Sequence, residues 1–239
     1  MQTKTKAIVL SKIRFKDNDL IVKCYTSNHG IVSYLLKGVL KSKKSNKKTA
    51  YFQPLSLLEL ETDHKDNRSL QYIKDLKTSF LYSSLHTNIV KSAIAMFLAE
   101  ILSQALKEEE QNLPLFNYLE TSFKWLDTNS QISNAHLLFL LELTKYLGFY
   151  PDDSEIDADF FNLLEGQFQH INNSKYCISG ENLTLLKQML GTNFDALNEI
   201  KMSSKQRQQF LKMLLQYFDL HLTNFNQPKS LQILNDVFN

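Results

Sequence analysis

Five lysines stand within eight residues: Lys41, Lys43, Lys44, Lys47 and Lys48, interleaved with Ser42, Ser45 and Asn46. Ammonium groups on a polar segment of this kind neutralise phosphates without reading base sequence, and their contribution weakens with salt. The other reading is a solvated loop, and a lysine-rich loop by itself does not decide between the two. Lys12, Arg14, Lys16 and Lys37 extend the basic track. The candidate phosphate-contacting set is therefore Lys12, Arg14, Lys37, Lys41, Lys43, Lys44, Lys47 and Lys48. Phe15, Tyr34, Tyr51 and Phe52 lie nearby, each either a core residue or a platform on which a base stacks.

Other chemistry is poorly supplied. Cys24 and Cys177 are the only cysteines, and no C-x-x-C occurs. Cys24 sits in a β-branched run and reads as a small buried hydrophobe. His29, His64, His86, His136, His170 and His221 are scattered, with no i, i+4 pair. A structural zinc site needs four Cys or His ligands, usually in close pairs, so no metal is expected. Glu108, Glu109 and Glu110 are consecutive and do not share one helix face, which favours a solvated helix end over a metal site. With six glycines there is no Gly-rich phosphate loop, and no G-x-S-x-G elbow is present. The chain is read as a non-enzyme without a cofactor.

Charge segregation supports a polyanion partner. Residues 1–50 hold twelve Lys or Arg and two acids, a net of +10, while the remaining 189 residues carry a net of −8. A basic module joined to an acidic one fits this split. A chain of 239 residues buries about 73% of its surface on folding, enough for a core without disulfide or metal. At 43% hydrophobic and 22% charged, wholesale disorder is excluded. No stretch approaches the roughly 18 apolar residues of a membrane span, and the N-terminus lacks a signal-peptide pattern, so a cytoplasmic protein is expected.

The elements that must position these residues change character near residue 78. Before it, Ala7–Leu10, Leu20–Thr26, Ile31–Gly38, Phe52–Leu60 and Leu70–Leu76 read as five short strands with polar turns, a pattern that suggests a small closed or nearly closed barrel. Gly30 is the natural positive-φ residue of the second turn. From Thr78 the period becomes helical. Leu85, Ile89, Val90, Ala93, Phe97 and Ile101 trace a long, central helix, and Pro114 opens the next. A helix near residues 134–147 stops at Gly148. Residues 152–180 read as an irregular or hairpin insert, followed by helices near 182–190, 205–222 and 231–238. Ser203 and Gln206 have capping-box spacing. The fold class is α+β, with domains at 1–78 and 79–239.

Ala7-Ile8-Val9-Leu10, Asp19-Leu20, Tyr25-Thr26 with Gly30, Lys37-Gly38, a basic Ser/Lys loop and Gln53-Pro54-Leu55 occur in the order and spacing of the bacterial RecO family. Leu147-Gly148-Phe149-Tyr150-Pro151 resembles that family's L-G-[FY]-x-P helix end. The resemblance spans nearly the whole chain. It implies a five-stranded oligonucleotide-binding (OB) fold barrel followed by a mostly helical domain. It also implies a DNA repair and recombination mediator that binds single- and double-stranded DNA and anneals strands. Such a mediator acts with RecR and the C-terminal tail of single-strand-binding protein (SSB) to load RecA, in the cytoplasm at the nucleoid. The alternative is a protein-interaction adaptor with an incidentally basic barrel. Lys91, Lys107, Lys187, Lys201, Lys205, Arg207 and Lys212 are the helical-domain cations available to an acidic tail. Two departures stand out. The four-cysteine zinc module of many members is reduced here to Cys177 alone, so a hairpin is expected in its place. Where the family follows its Lys-Gly with arginine-rich sequence, this chain has Val39-Leu40 before Lys41, and lysine gives looser, more salt-dependent phosphate contact.

Overall fold

The structure is a computed structural model that describes residues 2–41, 47–65, 67–107 and 110–238. It divides into two compact units, Met1–Thr128 and Asn129–Asn239.

Strands β1 (Gln2–Phe15), β2 (Asp19–Thr26), β3 (Gly30–Leu36), β4 (Leu57–Asp63) and β5 (Ile73–Phe80) form one antiparallel sheet in the order β3-β2-β1-β4-β5. β1 is long enough to serve two neighbours: Gln2 to Ile8 pair with β4, and Ala7 to Phe15 pair with β2. A bulge between Val9 and Ser11 bends it, as an extra residue in one strand does. Alternate residues of β2 and β3 point inward, so Val22, Cys24, Val32 and Tyr34 meet Ala7, Val9, Phe52, Leu58 and Leu60 in one core. Cys24 is fully buried, and burial pushes its thiol pKa up, as a packing residue requires.

The expected barrel is not closed by a continuous ladder. Its edge strands meet at one parallel bridge, Tyr34 with Gln71, where the Leu35 N–H donates to the Gln71 carbonyl (2.9 Å) and the Gln71 N–H to the Ser33 carbonyl (2.8 Å). The buried Gln71 side chain is fixed in turn: its amide nitrogen donates to the carbonyls of Lys65 and Arg68, both at 2.8 Å.

Two strand boundaries differ from expectation. Residues 52–56 are not strand, and β4 starts at Leu57. Pro54 has no N–H to give a ladder, and Leu55 is held at φ +62 with its side chain fully buried. The helical pattern expected from Thr78 begins only at Ile89, because β5 runs to Phe80 and residues 83–85 are held in a turn.

Helices α1 (Ile89–Ala105) and α2 (Leu113–Thr128) complete this unit, and α1 packs on β1. Asn88 caps α1 by accepting from the Lys91 N–H. The Lys23 ammonium donates to the Ser103 carbonyl near the C-terminal end of α1 (2.6 Å), where cations are favoured. The Lys6 ammonium reaches Glu120 on α2 at 3.0 Å.

Asp127, near the end of α2, gathers the turn before α1. Its Oδ1 accepts from the backbone N–H groups of Ser84 and Leu85, both at 2.7 Å, and its Oδ2 from the Ser83 N–H at 2.9 Å. Burial of the carboxylate works against its charge, yet these donors and the Ser83 hydroxyl outweigh it and hold the pKa at about 2. The buried Lys91 ammonium donates to the Asp127 carbonyl (2.6 Å) and the Ser84 hydroxyl (2.8 Å).

The second unit starts with α3 (Ala135–Leu147), which ends at left-handed Gly148 as its sequence predicts. Residues of the insert form a small sheet, β7-β6-β8, from β6 (Phe160–Asn162), β7 (Gln167–Gln169) and β8 (Cys177–Ile178). Phe161 and Phe168 meet edge to face beneath it, and Phe161 reaches Tyr217. Helices α4 (Gly180–Met189), α5 (Ser204–His221) and α6 (Leu231–Val237) follow, with α3 and α4 packed on α5. Ser203 and Gln206 make the reciprocal capping box that starts α5. Among the described residues, no helix is long and apolar enough to cross a membrane.

Two outcomes follow for stability. Asp127→Ala leaves three backbone donors without their acceptor and should cost about 3 kcal/mol in urea unfolding at pH 7. Because the folded-state pKa lies below the unfolded value of 3.8, this carboxylate stabilises the fold above that value and loses its effect as pH falls toward about 2. Asp127→Asn should therefore show a shallower loss of stability between about pH 4 and 2 than the parent chain. In the second unit, Gly166 has φ +69 and a Cβ there would stand 2.8 Å from the Tyr217 hydroxyl, which donates to the Phe149 carbonyl. Gly166→Ala should lower the melting temperature by several degrees, about 1–3 kcal/mol of strain, while Gly191→Ala, with open space around its Cβ, costs less.

Candidate nucleic-acid interface

The closing bridge brings the end of β3, the start of β5 and the 3-10 turn Lys47–Tyr51 around one groove of about 470 Å³. Lys37, Lys48 and Lys74 line it, together with Tyr51, Tyr72 and Asp75. Its floor is apolar: Leu35, Leu36, Val39 and Phe52.

Local chemistry sets each cation in place. Lys37 leaves β3 just before Gly38, whose φ of +64 turns the chain as glycine readily does. The Gly38 N–H donates to Asp19 Oδ1 at 2.7 Å, and the Leu40 N–H to the Asn18 carbonyl at 3.0 Å. The segment after β3 is thereby pinned to the β1–β2 turn. The Lys37 ammonium stands 5.0 Å from the Tyr72 ring centre, and the Arg68 guanidinium carbon 5.2 Å from the same ring. Cation–π contact of this kind fixes the direction of a long side chain without neutralising its charge.

Of the residues anticipated from sequence, Lys37 and Lys48 share the groove. Lys41 is exposed, with its N–H donating to the Gly38 carbonyl. Lys12 and Arg14 are exposed on the far arm of β1, opposite Val22 and Leu20, and do not line the groove. Lys43 and Lys44 lie outside the described residues, as does the side chain of Lys47. Among the aromatics, Tyr34 and Phe52 are buried in the core, whereas Tyr51 is 42% exposed. Arg68, Tyr72 and Lys74 were missed. They fall beyond the first 50 residues, where the positive charge is concentrated, and only the alternation of Tyr72 and Lys74 along the fifth strand region pointed to them.

In the helical part, one anticipated contact fails. Lys91 is buried, and its ammonium is held by Ser84 and Asp127, so it cannot face a peptide. Lys187 donates to the Ala158 carbonyl at 2.8 Å, and Arg207 to Asn134 Oδ1 at 3.0 Å. Lys201, Lys205 and Lys212 are exposed. Among the described residues, no group of three or more His, Cys, Asp or Glu stands together as a metal site.

Comparison with known proteins agrees with this layout. Residues 1–82 match the family model described as Recombination protein O N terminal, and residues 86–232 match Recombination protein O C terminal. The chain is 50% identical over 234 residues to the DNA repair protein RecO of Christiangramia forsetii, covering 98% of each. It is 46% identical to that of Flavobacterium johnsoniae over the full length of both, and 38% identical to that of Bacteroides fragilis. Both halves of the chain and its whole length thus match one family, and the chain belongs to the RecO family of DNA repair and recombination proteins.

Proposed function

We propose that this chain is a non-enzymatic recombination mediator whose basic N-terminal part, residues 1–78, binds single- and double-stranded DNA by its phosphates and anneals strands. The observation that carries the reading is the groove at the β3–β5 junction, where Lys37, Lys48 and Lys74 stand over an apolar floor beside Tyr51 and Tyr72. Cations along a groove attract a backbone of any sequence, which is what annealing requires. Lys48, the last lysine of the lysine-rich stretch 41–48, lines that groove. Residues 79–239, with a net of −7, repel phosphate on average. Residues 79–239 are left for protein partners: RecR, and the acidic, apolar tail of SSB, through which RecA is loaded at the nucleoid. Exposed Lys201, Lys205 and Lys212 are the cations such a tail would meet.

Changing Lys43, Lys44, Lys47 and Lys48 together to Glu tests the first half. In the parent chain about four neutralised phosphates give a slope of log affinity against log salt near −3 on single strands. The variant should show a flatter slope and weaker binding, to a similar degree across sequences. Its melting temperature should barely move, because charge changes of this kind usually contribute little to folding. A folded variant with parental affinity and slope would instead favour the adaptor reading. Calorimetry of the same variant with an SSB tail peptide should give parental affinity; no binding by either protein would remove the tail from the proposal.

A further inference from the structure

Tyr51 closes the 3-10 turn and is 42% exposed, although an aromatic ring gains by burial. It borders two depressions at once. One is the cationic groove; the other, of about 240 Å³, is lined by Leu58, Phe80, Leu81 and Tyr82, with Leu81 84% exposed. Tyr72, the other tyrosine of the groove, is engaged by Lys37 and Arg68. Among the described residues, no ring or cation packs on Tyr51 in the same way. An open ring face, an apolar recess beside it and cations within the same groove are what one nucleotide of a single strand needs: a stacking surface for its base and positive charge for its phosphates.

We propose that Tyr51 is the platform on which one base stacks, and that this ring separates single strands from duplex. The proposal rests on the phosphate-binding reading of the groove. Lys37, Lys48 and Lys74 hold the backbone, and Tyr72 acts as a positioning residue for Lys37 and Arg68. In a duplex both faces of each internal base are already covered by its neighbours, so the ring is offered nothing to stack on and only the charges contribute.

Three probes at equal salt test this on the full chain: oligo-dT, an abasic sugar-phosphate oligomer of the same length, and a blunt duplex. The parent chain should bind oligo-dT about tenfold more tightly than the abasic oligomer, within the range known for base–aromatic stacking. Tyr51→Ala should erase that difference while leaving the salt slope and the duplex affinity unchanged; Tyr51→Phe should retain it. The ring is exposed, so an unchanged melting temperature certifies the fold. If Tyr51→Ala keeps the parental preference for oligo-dT, or weakens all three probes equally, the stacking role is overturned. If the parent chain prefers oligo-dT but shows no salt dependence, the stacking role stands and the phosphate reading falls.

Discussion

The two backbone hydrogen bonds between Gln71 and the β3 strand hold the N-terminal part in its working shape. A five-stranded antiparallel sheet with open edges leaves a row of unpaired N–H and C=O groups on β3 and on β5. One parallel bridge is enough to bring these edges together, because the Gln71 side chain is itself tied to the carbonyls of Lys65 and Arg68. The same contact orders the β4–β5 loop, sets Arg68 against Tyr72, and leaves beyond it a gap between the edges that does not zip. That gap is the groove. A sheet closed by a full ladder at this point would leave no groove between Leu36 and Leu76.

Electrostatics then follows from the frame. Lys37, Lys48 and Lys74 come from a strand end, a 3-10 turn and another strand. Lysine presents a point charge on a flexible stem, so such contacts tolerate a shifting backbone and respond strongly to salt. Cation–π contact on Tyr72 restrains Lys37 and Arg68 without discharging either.

Away from the groove, side chains of the first unit satisfy buried backbone and ammonium donors. Asp127 takes three backbone N–H groups from a turn that would otherwise carry them unpaired, and Lys91 is drawn inside by the oxygens of Asp127 and Ser84. In the second unit, aromatic packing of Phe161, Phe168 and Tyr217 supports the small sheet that contains Cys177. Hydrophobic contact holds that sheet to the helix beneath it.

Much of this was legible from residue order alone. Turn glycines, the alternation of strands, the helix stop at Gly148 and the capping box at Ser203 are local, and each is decided within a few residues of chain. The strong charge of residues 1–50 marked the N-terminal part as the phosphate-facing one in the proposal. Other features depend on which distant segments meet. Pro54 and Leu55 break the expected fourth strand because Leu55 anchors in a core assembled from elsewhere in the chain. Lys91 reads as a surface cation on its own helix, but Asp127, 36 residues on, supplies the acceptor that draws it inward. Tyr34 and Tyr51 look alike in sequence; one is sealed in the core and the other left at the groove, since burial is settled by the partners a side chain meets and not by its type. Lys37, Lys48 and Lys74 become one site only when the sheet curls far enough for Gln71 to bridge its edges. Charge, turns and caps are local properties of the chain, whereas a groove is a relation between its ends.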